Sequence, residues 1–336
     1  MFFYTIRRLI GAIMMLVVMS IAVFLLFYAS PTDPARLTCG KNCTPQGITQ
    51  NRQYLGLNEP LQVQYGHFMK GLFVDRKFPD NAKLQKEHPE LITNCDAPCL
   101  GYSPLQNSTV WAYLKPRLPV TIGLTIGAFI LWIFGGELLG ILAALRRGKI
   151  IDRLLVSLAL IFYSFPTFFI SLLLLQTIVF KWGLLDTPNY VSISAGIGTY
   201  LYNMFLPCLT LALVYAAAYI RLTRTYMLET MGEDYLRTAR AKGLGNRTII
   251  FKHTLRAALT PILTIAGLDL GALLAGAPIT ETVFNYPGLG QAAVQSAVTF
   301  DLPSTVVIVL LSAAFVIVAN LIVDLLYAVV DPRVRY

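Results

Sequence analysis

Charge is scarce in this sequence. Of 336 residues, 13% are Asp, Glu, Lys or Arg, about half the share carried by soluble globular chains. That shortage excludes an ordinary soluble enzyme, and it excludes disorder more firmly, because disordered chains are polar and charge-rich. Acidic residues are the scarcer sign, 18 against 27 Lys and Arg, for a formal net charge of +9. Histidine occurs three times, at His67, His88 and His253, and these make no metal or catalytic constellation. Low-complexity segments and internal repeats are lacking, which weighs against transporters built from inverted repeats. A phosphate-binding loop is lacking too. The G-x4-G-K-[ST] pattern, whose backbone amides cradle phosphate, fails at Gly40-Lys41-Asn42 and at Gly148-Lys149-Ile150. The sequence gives this chain no means of hydrolysing ATP itself.

What is abundant is apolar sequence in long blocks: 56% of residues are hydrophobic and the mean hydropathy is +0.62. About 20 apolar residues cross a bilayer core as a helix. Six blocks approach or exceed that length: Leu9 to Ala29, Leu118 to Leu145, Leu154 to Phe180, Asn203 to Ile220, Leu259 to Thr280 and Pro303 to Val330. The expectation is an all-α polytopic membrane protein with six transmembrane helices. Arg7 and Arg8 precede the first block, as in a signal peptide. The block is too long for a signal h-region and lacks a clean A-x-A exit, so it is read as a retained helix.

The basic residues set the orientation. With the N-terminus inside, 16 of the 27 Lys and Arg fall in the inner segments, and of the short outer segments only one carries any, Lys181. The positive-inside rule is counted over short loops, so both termini are placed in the cytoplasm and segment 30–117 outside. This placement accounts for the basic balance without nucleic acid, which is not expected as a partner; membrane lipid is.

The inner segment from Arg221 to Arg256 is long and basic. Within it, Gly232-Glu-Asp-Tyr-Leu-Arg-Thr-Ala-Arg-Ala-Lys-Gly243 reads as a short helix. Glu233 and Asp234 favour the positive end of its dipole, Lys242 lies in the last turn, and Gly243 follows as the residue after the cap. Arg237 and Arg240 share a face, and Ala239 and Ala241 keep the middle slim. Charged ends and a small centre suit docking into a groove on another protein; a solvated amphipathic connector is the plainer reading of the same residues.

Glu233-Asp-Tyr-x-Arg-Thr-Ala-Arg-Ala-Lys-Gly243, with His253-x-Leu-Arg-x-Ala258 and Pro261, resembles the EAA-type loop of ABC importer permeases. The resemblance continues in order along nearly the whole chain. It includes Arg7-Arg8-Leu9, Tyr54-Leu-Gly-Leu-Asn-Glu-Pro60, Ser164-Phe-Pro166 and Arg221-Leu-Thr-Arg224. It goes on through Thr280-Glu-Thr-Val-Phe284, Pro287-Gly-Leu-Gly290, Asp324-Leu-Leu-Tyr327 and Asp331-Pro-Arg-Val-Arg335. The branch it is most similar to is the dipeptide/oligopeptide (peptide/nickel) family, B-type membrane subunit.

That resemblance implies a type I ABC importer permease fold in the bacterial cytoplasmic membrane. It implies a second homologous permease, two cytoplasmic ABC ATPases holding ATP and Mg, an extracytoplasmic solute-binding protein and a peptide substrate; this chain itself would carry no cofactor. The 233–243 helix would couple to an ATPase through Glu233, Asp234, Tyr235, Arg237, Ala239, Arg240 and Gly243. The chain then divides into 1–29 (cytoplasmic end and first helix), 30–117 (extracytoplasmic), 118–330 (a five-helix core including the coupling loop 221–258) and 331–336 (cytoplasmic tail).

Ionisable groups within spans mark function by default. They are Glu137, Asp269 and Asp324, the candidates for the translocation pathway. Asp269, in Gly267-Leu-Asp-Leu-Gly271, either meets a peptide amino terminus or serves polar helix packing. Asp324, about a turn from the cytoplasmic end, is also suited to pair with an interfacial Arg. Glu137 departs from the small or apolar residue the family leads one to expect. Gly123/Gly127, Gly136/Gly140 and Gly267/Gly271 have the small-xxx-small spacing that lets helices approach closely, read as packing within one subunit.

Four of the five cysteines, Cys39, Cys43, Cys95 and Cys99, fall in the outer segment, where disulfides persist. Four cysteines allow three pairings. A bridge across the 39/43 and 95/99 clusters would tie the ends of the segment. Zinc is the alternative, but C-x3-C is not its usual spacing. Asp75 to Ser103 looks inserted relative to the family, and is expected to form an external cap. Cys208 is expected to fill apolar space. Two alternatives to peptide import stand: the same machine importing a nickel complex or glutathione, and an ion-coupled secondary transporter, against which the 233–243 segment argues. An intramembrane enzyme would need paired catalytic groups that three separate carboxylates do not make.

Overall fold

The computed structural model describes residues 2–29, 33–38, 44–87 and 89–330. Helix α1 (Phe2–Tyr28) leads into a mixed segment of α2 (Pro34–Leu37), α3 (Pro45–Tyr54), α4 (Leu61–Gly71), β1 (Arg76–Phe78), α5 (Ala82–Glu87), β2 (Thr93–Cys95), β3 (Tyr102–Ser103), β4 (Ser108–Thr109) and α6 (Val110–Leu114). The bundle follows: α7 (Leu118–Leu145), α8 (Ile150–Ser164), α9 (Thr167–Leu174), α10 (Ile197–Met231), α11 (Asp234–Ala241), α12 (Asn246–Thr248), α13 (Leu255–Leu274), α14 (Pro278–Val283), α15 (Leu289–Thr299) and α16 (Leu302–Val330).

Among the described residues, five helices are long and apolar enough to cross a membrane, and six if α8 with α9 and its π-helical extension to Lys181 counts as one bent span. The second and sixth blocks are α7 and α16 almost residue for residue. Three others differ from the expectation. The block Leu154 to Phe180 is not one straight helix: α8 and α9 meet at 104°. Pro166 has no N–H to donate and drives the preceding residue out of the helical region, and Phe165 is accordingly extended with ψ 135°. The block Asn203 to Ile220 is an underestimate, since α10 runs 35 residues from Ile197 to Met231. Arg221 and Arg224 are therefore helical, not in a loop. The fifth block ends early at Leu274, because the chain turns through Gly276 at φ +121°. There a side chain would collide with Gly290, whose Cα lies 2.9 Å from the Cβ position.

The core lies between α7 and α10, around the fully buried Trp132, Leu206, Tyr219 and Ile262. Lipid is as apolar as these side chains, so close packing, not water exclusion, holds the helices together. Glycines provide the approach. A Cβ on Gly136 would lie 2.7 Å from the Tyr219 Cβ, and one on Gly140 2.6 Å from the Thr223 Cβ. Gly271 of α13 packs as tightly on Ala319 of α16, 2.8 Å away by the same measure, and Gly267 on Val323. The glycine pairs are thus seams within the subunit. Helix α1 stands apart, mostly exposed, against α16.

The segment between α1 and α7 forms a cap. Asp33 and Thr44 cap α2 and α3 by accepting from the backbone N–H of Ala35 and Gly47. Strands β1 and β2 pair antiparallel, with Arg76 opposite Cys95. Cys95 and Cys99 are disulfide-bonded, and the Cys99 N–H donates to the Gly71 carbonyl at 2.7 Å. A bridge from this pair to the 39/43 cluster is thereby ruled out; Cys39 and Cys43 lie outside the described residues. The cap is fastened to the bundle where the Ser103 hydroxyl donates to the buried Asp301 carboxylate just before α16, at 2.7 Å.

Candidate functional site

The segment singled out between α10 and α13 forms helix α11, Asp234–Ala241, shorter than 233–243 by its caps. Glu233 is the N-cap residue, extended at ψ 142°, and Gly243 takes φ +81°, the left-handed exit that glycine makes without strain. One residue anchors the helix. Leu236 is fully buried, and α11 packs on the π-helical turn Ile249–Thr254. The rest points outward: Glu233, Asp234, Tyr235, Arg237 and Arg240 are exposed and Ala239 is half-buried. Asp234 and Arg237 pair one turn apart at 3.4 Å, a contact that water screens to little. Tyr235 is 47% exposed. What burial it has, and then the charge of Glu233, raise its phenol above the usual value. The arrangement is a polar helix surface fixed from beneath by one leucine.

The base of α11 is braced. Arg224, two turns before the end of α10, donates to both carboxylate oxygens of Asp152 on α8, at 2.6 and 2.9 Å. Asp152 is buried and also accepts from the Gly148 N–H at 2.9 Å. The α7–α8 turn is thus tied to the helix that leads into α11. Arg224 was among the residues carrying the family resemblance; Asp152, one charge beside the basic run 146–153, gave no signal of its own.

The three carboxylates of the spans fall in three settings. Asp269, half-buried on α13, accepts a hydrogen bond from the Tyr219 hydroxyl of α10 at 2.7 Å. Tyr219 adjoins Trp132, which stacks on Tyr215 with centroids 4.6 Å apart. Asp269 therefore sits at the edge of an aromatic cluster centred on the buried Trp132. Asp324 of α16 is held by Arg8 of α1 at 2.8 Å. Glu137, half-buried on α7, makes no hydrogen bond or ion pair among the described residues. No group of three His, Cys, Asp or Glu able to hold a metal occurs among the described residues.

A fourth carboxylate is the most deeply buried of the set. Glu281 of α14 is fully buried. It accepts from the Thr121 hydroxyl of α7 at 2.8 Å and from the Gln291 N–H of α15 at 2.8 Å. Gly288 leaves room for it, since a Cβ there would run into the carboxylate. The signal was present in Thr280-Glu-Thr-Val-Phe284 and Pro287-Gly-Leu-Gly290, which belong to one buried lock.

Two family models cover this arrangement. Residues 1–125 match the N-terminal membrane component of binding-protein-dependent transport systems, and residues 136–336 match their inner membrane component. The chain belongs to this family of ABC importer permeases. Over 99% of both lengths, the permease is 34% identical to the probable peptide ABC transporter permease protein y4tP of Sinorhizobium fredii. Over the same span it is 36% identical to the glutathione transport system permease protein GsiC of Escherichia coli and of Salmonella typhimurium. Its fold matches a chain of the inward-facing MetNI methionine ABC transporter with a TM-score of 0.54, covering 68% of the permease and 99% of that chain at 18% identity. The type I importer permease fold is thereby shown, and the permease is an inner-membrane, multi-pass transport subunit.

Proposed function

We propose that the permease forms half of the translocation pathway of an ATP-driven importer of di- and oligopeptides. A second homologous permease would supply the other half, two cytoplasmic ABC ATPases holding ATP and Mg would dock below, and an extracytoplasmic solute-binding protein would deliver substrate to the capped end. The observation that carries the reading is α11, a polar outward surface fastened by Leu236 and braced through Arg224–Asp152. An ATPase gripping Tyr235, Arg237, Ala239 and Arg240, with Glu233 and Asp234 at its basic residues, would turn nucleotide-driven closure into displacement of α10, and Gly243 would give the sharp exit. In this reading α11 and both termini lie in the cytoplasm and 30–117 outside, an orientation that the distribution of basic residues supports.

On the pathway side, Asp269 with Tyr219 and Tyr215 offers a carboxylate and hydroxyls to a peptide ammonium. Glu137, with no partner among the described residues, is a second candidate for the lining. Asp324 is committed to Arg8 and is better suited to holding α1. Glutathione is the second reading, favoured by the GsiC relatives; its free amino group makes the same demand on Asp269. Competition settles the choice. Uptake of a labelled dipeptide by cells expressing the whole importer should be blocked by unlabelled tri- and tetrapeptides. Blocking by glutathione alone would move the substrate to glutathione.

A further inference from the structure

We propose that the cleft between α1, α13 and α16 binds one phospholipid whose headgroup is an anionic phosphodiester bearing neutral hydroxyls, of the phosphatidylglycerol type. Two cavities that share Met15 and Ile317 run along this face. The first, of about 720 Å³, opens at the end of α1 that carries Arg7 and Arg8, and extends to Thr264 of α13 and to Asn320 and Asp324 of α16. The second, of about 570 Å³, continues from it between walls such as Met14, Val18, Met19, Ala313 and Val316. The hydroxyl of Ser312 on that wall is already spent on the Ala275 carbonyl at 3.0 Å. One end of the combined groove is polar and basic, and the rest is hydrocarbon.

The polar end has unmet demands. Arg8 is used: it pairs with Asp324 at 2.8 Å, and its Nε donates to the Tyr4 hydroxyl at 3.2 Å. Arg7 lines the cleft and has no acceptor among the described residues. The Asn320 Oδ1 is buried with no donor among the described residues, and an unmet buried acceptor is unfavourable. Arg7, Arg8 and Asp324 sum to one positive charge. A phosphodiester supplies one negative charge and the acceptor for Arg7. A hydroxylated headgroup supplies the donor for Asn320, which a choline headgroup lacks. Open space adjoins Gly11, where a Cβ would meet nothing within 4 Å, so a large side chain there would enter the cleft without displacing a neighbouring helix. An ordinary lipid-facing surface needs only apolar side chains, whereas this one adds a cation and an acceptor that are unpaired among the described residues, at the end of the spans where Arg reaches headgroups.

The test is native mass spectrometry and thermal unfolding of the importer, extracted whole and stripped of lipid. It is titrated with phosphatidylglycerol, with phosphatidylcholine of the same acyl chains, and with inorganic phosphate. The expected result is one phosphatidylglycerol per permease with a raised unfolding midpoint, at least tenfold weaker retention of phosphatidylcholine, and no response to phosphate. Arg7→Gln should weaken phosphatidylglycerol retention about tenfold, and Gly11→Trp, which fills the cleft and spares the charges, should abolish it. Equal retention of the two lipids, or unchanged retention in Gly11→Trp, would overturn the proposal. So would a photo-crosslinker at Met15 that captures a protein chain in place of lipid, since a partner helix would then occupy the groove.

Discussion

Arg224 of α10 holds both carboxylate oxygens of Asp152 on α8, at 2.6 and 2.9 Å, ten residues ahead of α11. The Asp152 side chain is 5% exposed. Removing Asp152 deprives the partly exposed Arg224 of both charge-assisted hydrogen bonds, a loss of about 1.5–3 kcal/mol before screening by water. Asp152→Ala should therefore lower the unfolding midpoint of the detergent-extracted importer and reduce uptake. The exchange Asp152→Arg with Arg224→Asp should restore part of both. A midpoint unmoved by Asp152→Ala would remove the brace from the coupling argument.

The glycine seam gives a contrast between neighbours. Gly136 meets the Tyr219 Cβ at 2.7 Å, while Gly135 has nothing within 4 Å. Gly136→Ala should destabilise by about 1–3 kcal/mol through overpacking. Gly135→Ala should be neutral or gain slightly, because alanine is the better helix former. Folded yield and thermal unfolding of the two variants check this directly.

The long apolar blocks made the bundle readable, because a helix in lipid must bury its own backbone polarity and so writes its length into composition. Helix α16 was found almost to the residue. The break at Phe165–Pro166 was not, because the flanking sequence stays apolar and only one proline marks a 104° bend. The C-terminal extent of α10 is hidden because its last three turns open on the charged Arg221 and Arg224; packing on α7 and the pair with Asp152 keep them helical. Within the site, the charged face of α11 was legible and its anchor was not. Leu236 is a lone apolar residue in a polar run, and only the packed turn at Ile249–Thr254 gives it a purpose. Glu281 was likewise hidden, since its partners Thr121 and Gln291 are distant in sequence.

The cap makes a chemical prediction. With Cys95 bonded to Cys99, a non-reducing digest should yield the two in one disulfide-linked fragment, unmodified by alkylating reagent. Cys95→Ser should lower stability of the cap by about 2 kcal/mol, the chain-entropy value for so short a loop, seen as faster proteolysis between α4 and α6. Alkylation of both residues without reductant would contradict the pairing.

The α11 surface separates folding from coupling. Arg240→Glu reverses an exposed charge, and Gly243→Pro forbids the φ of +81° at the exit. Both variants should insert and assemble in normal amount while transport falls to background. Normal uptake by both would end the assignment of α11 as the coupling helix.

The most direct measurement places a photo-crosslinking amino acid at Tyr235, on the exposed face of α11, in native membranes and identifies what it captures by mass spectrometry. The account predicts a covalent product with a P-loop ATPase, lost when Leu236→Asp frees α11 from its anchor. Capture of lipid or of a second copy alone, with no ATPase in the product, would contradict the claim that this helix couples the permease to ATP hydrolysis.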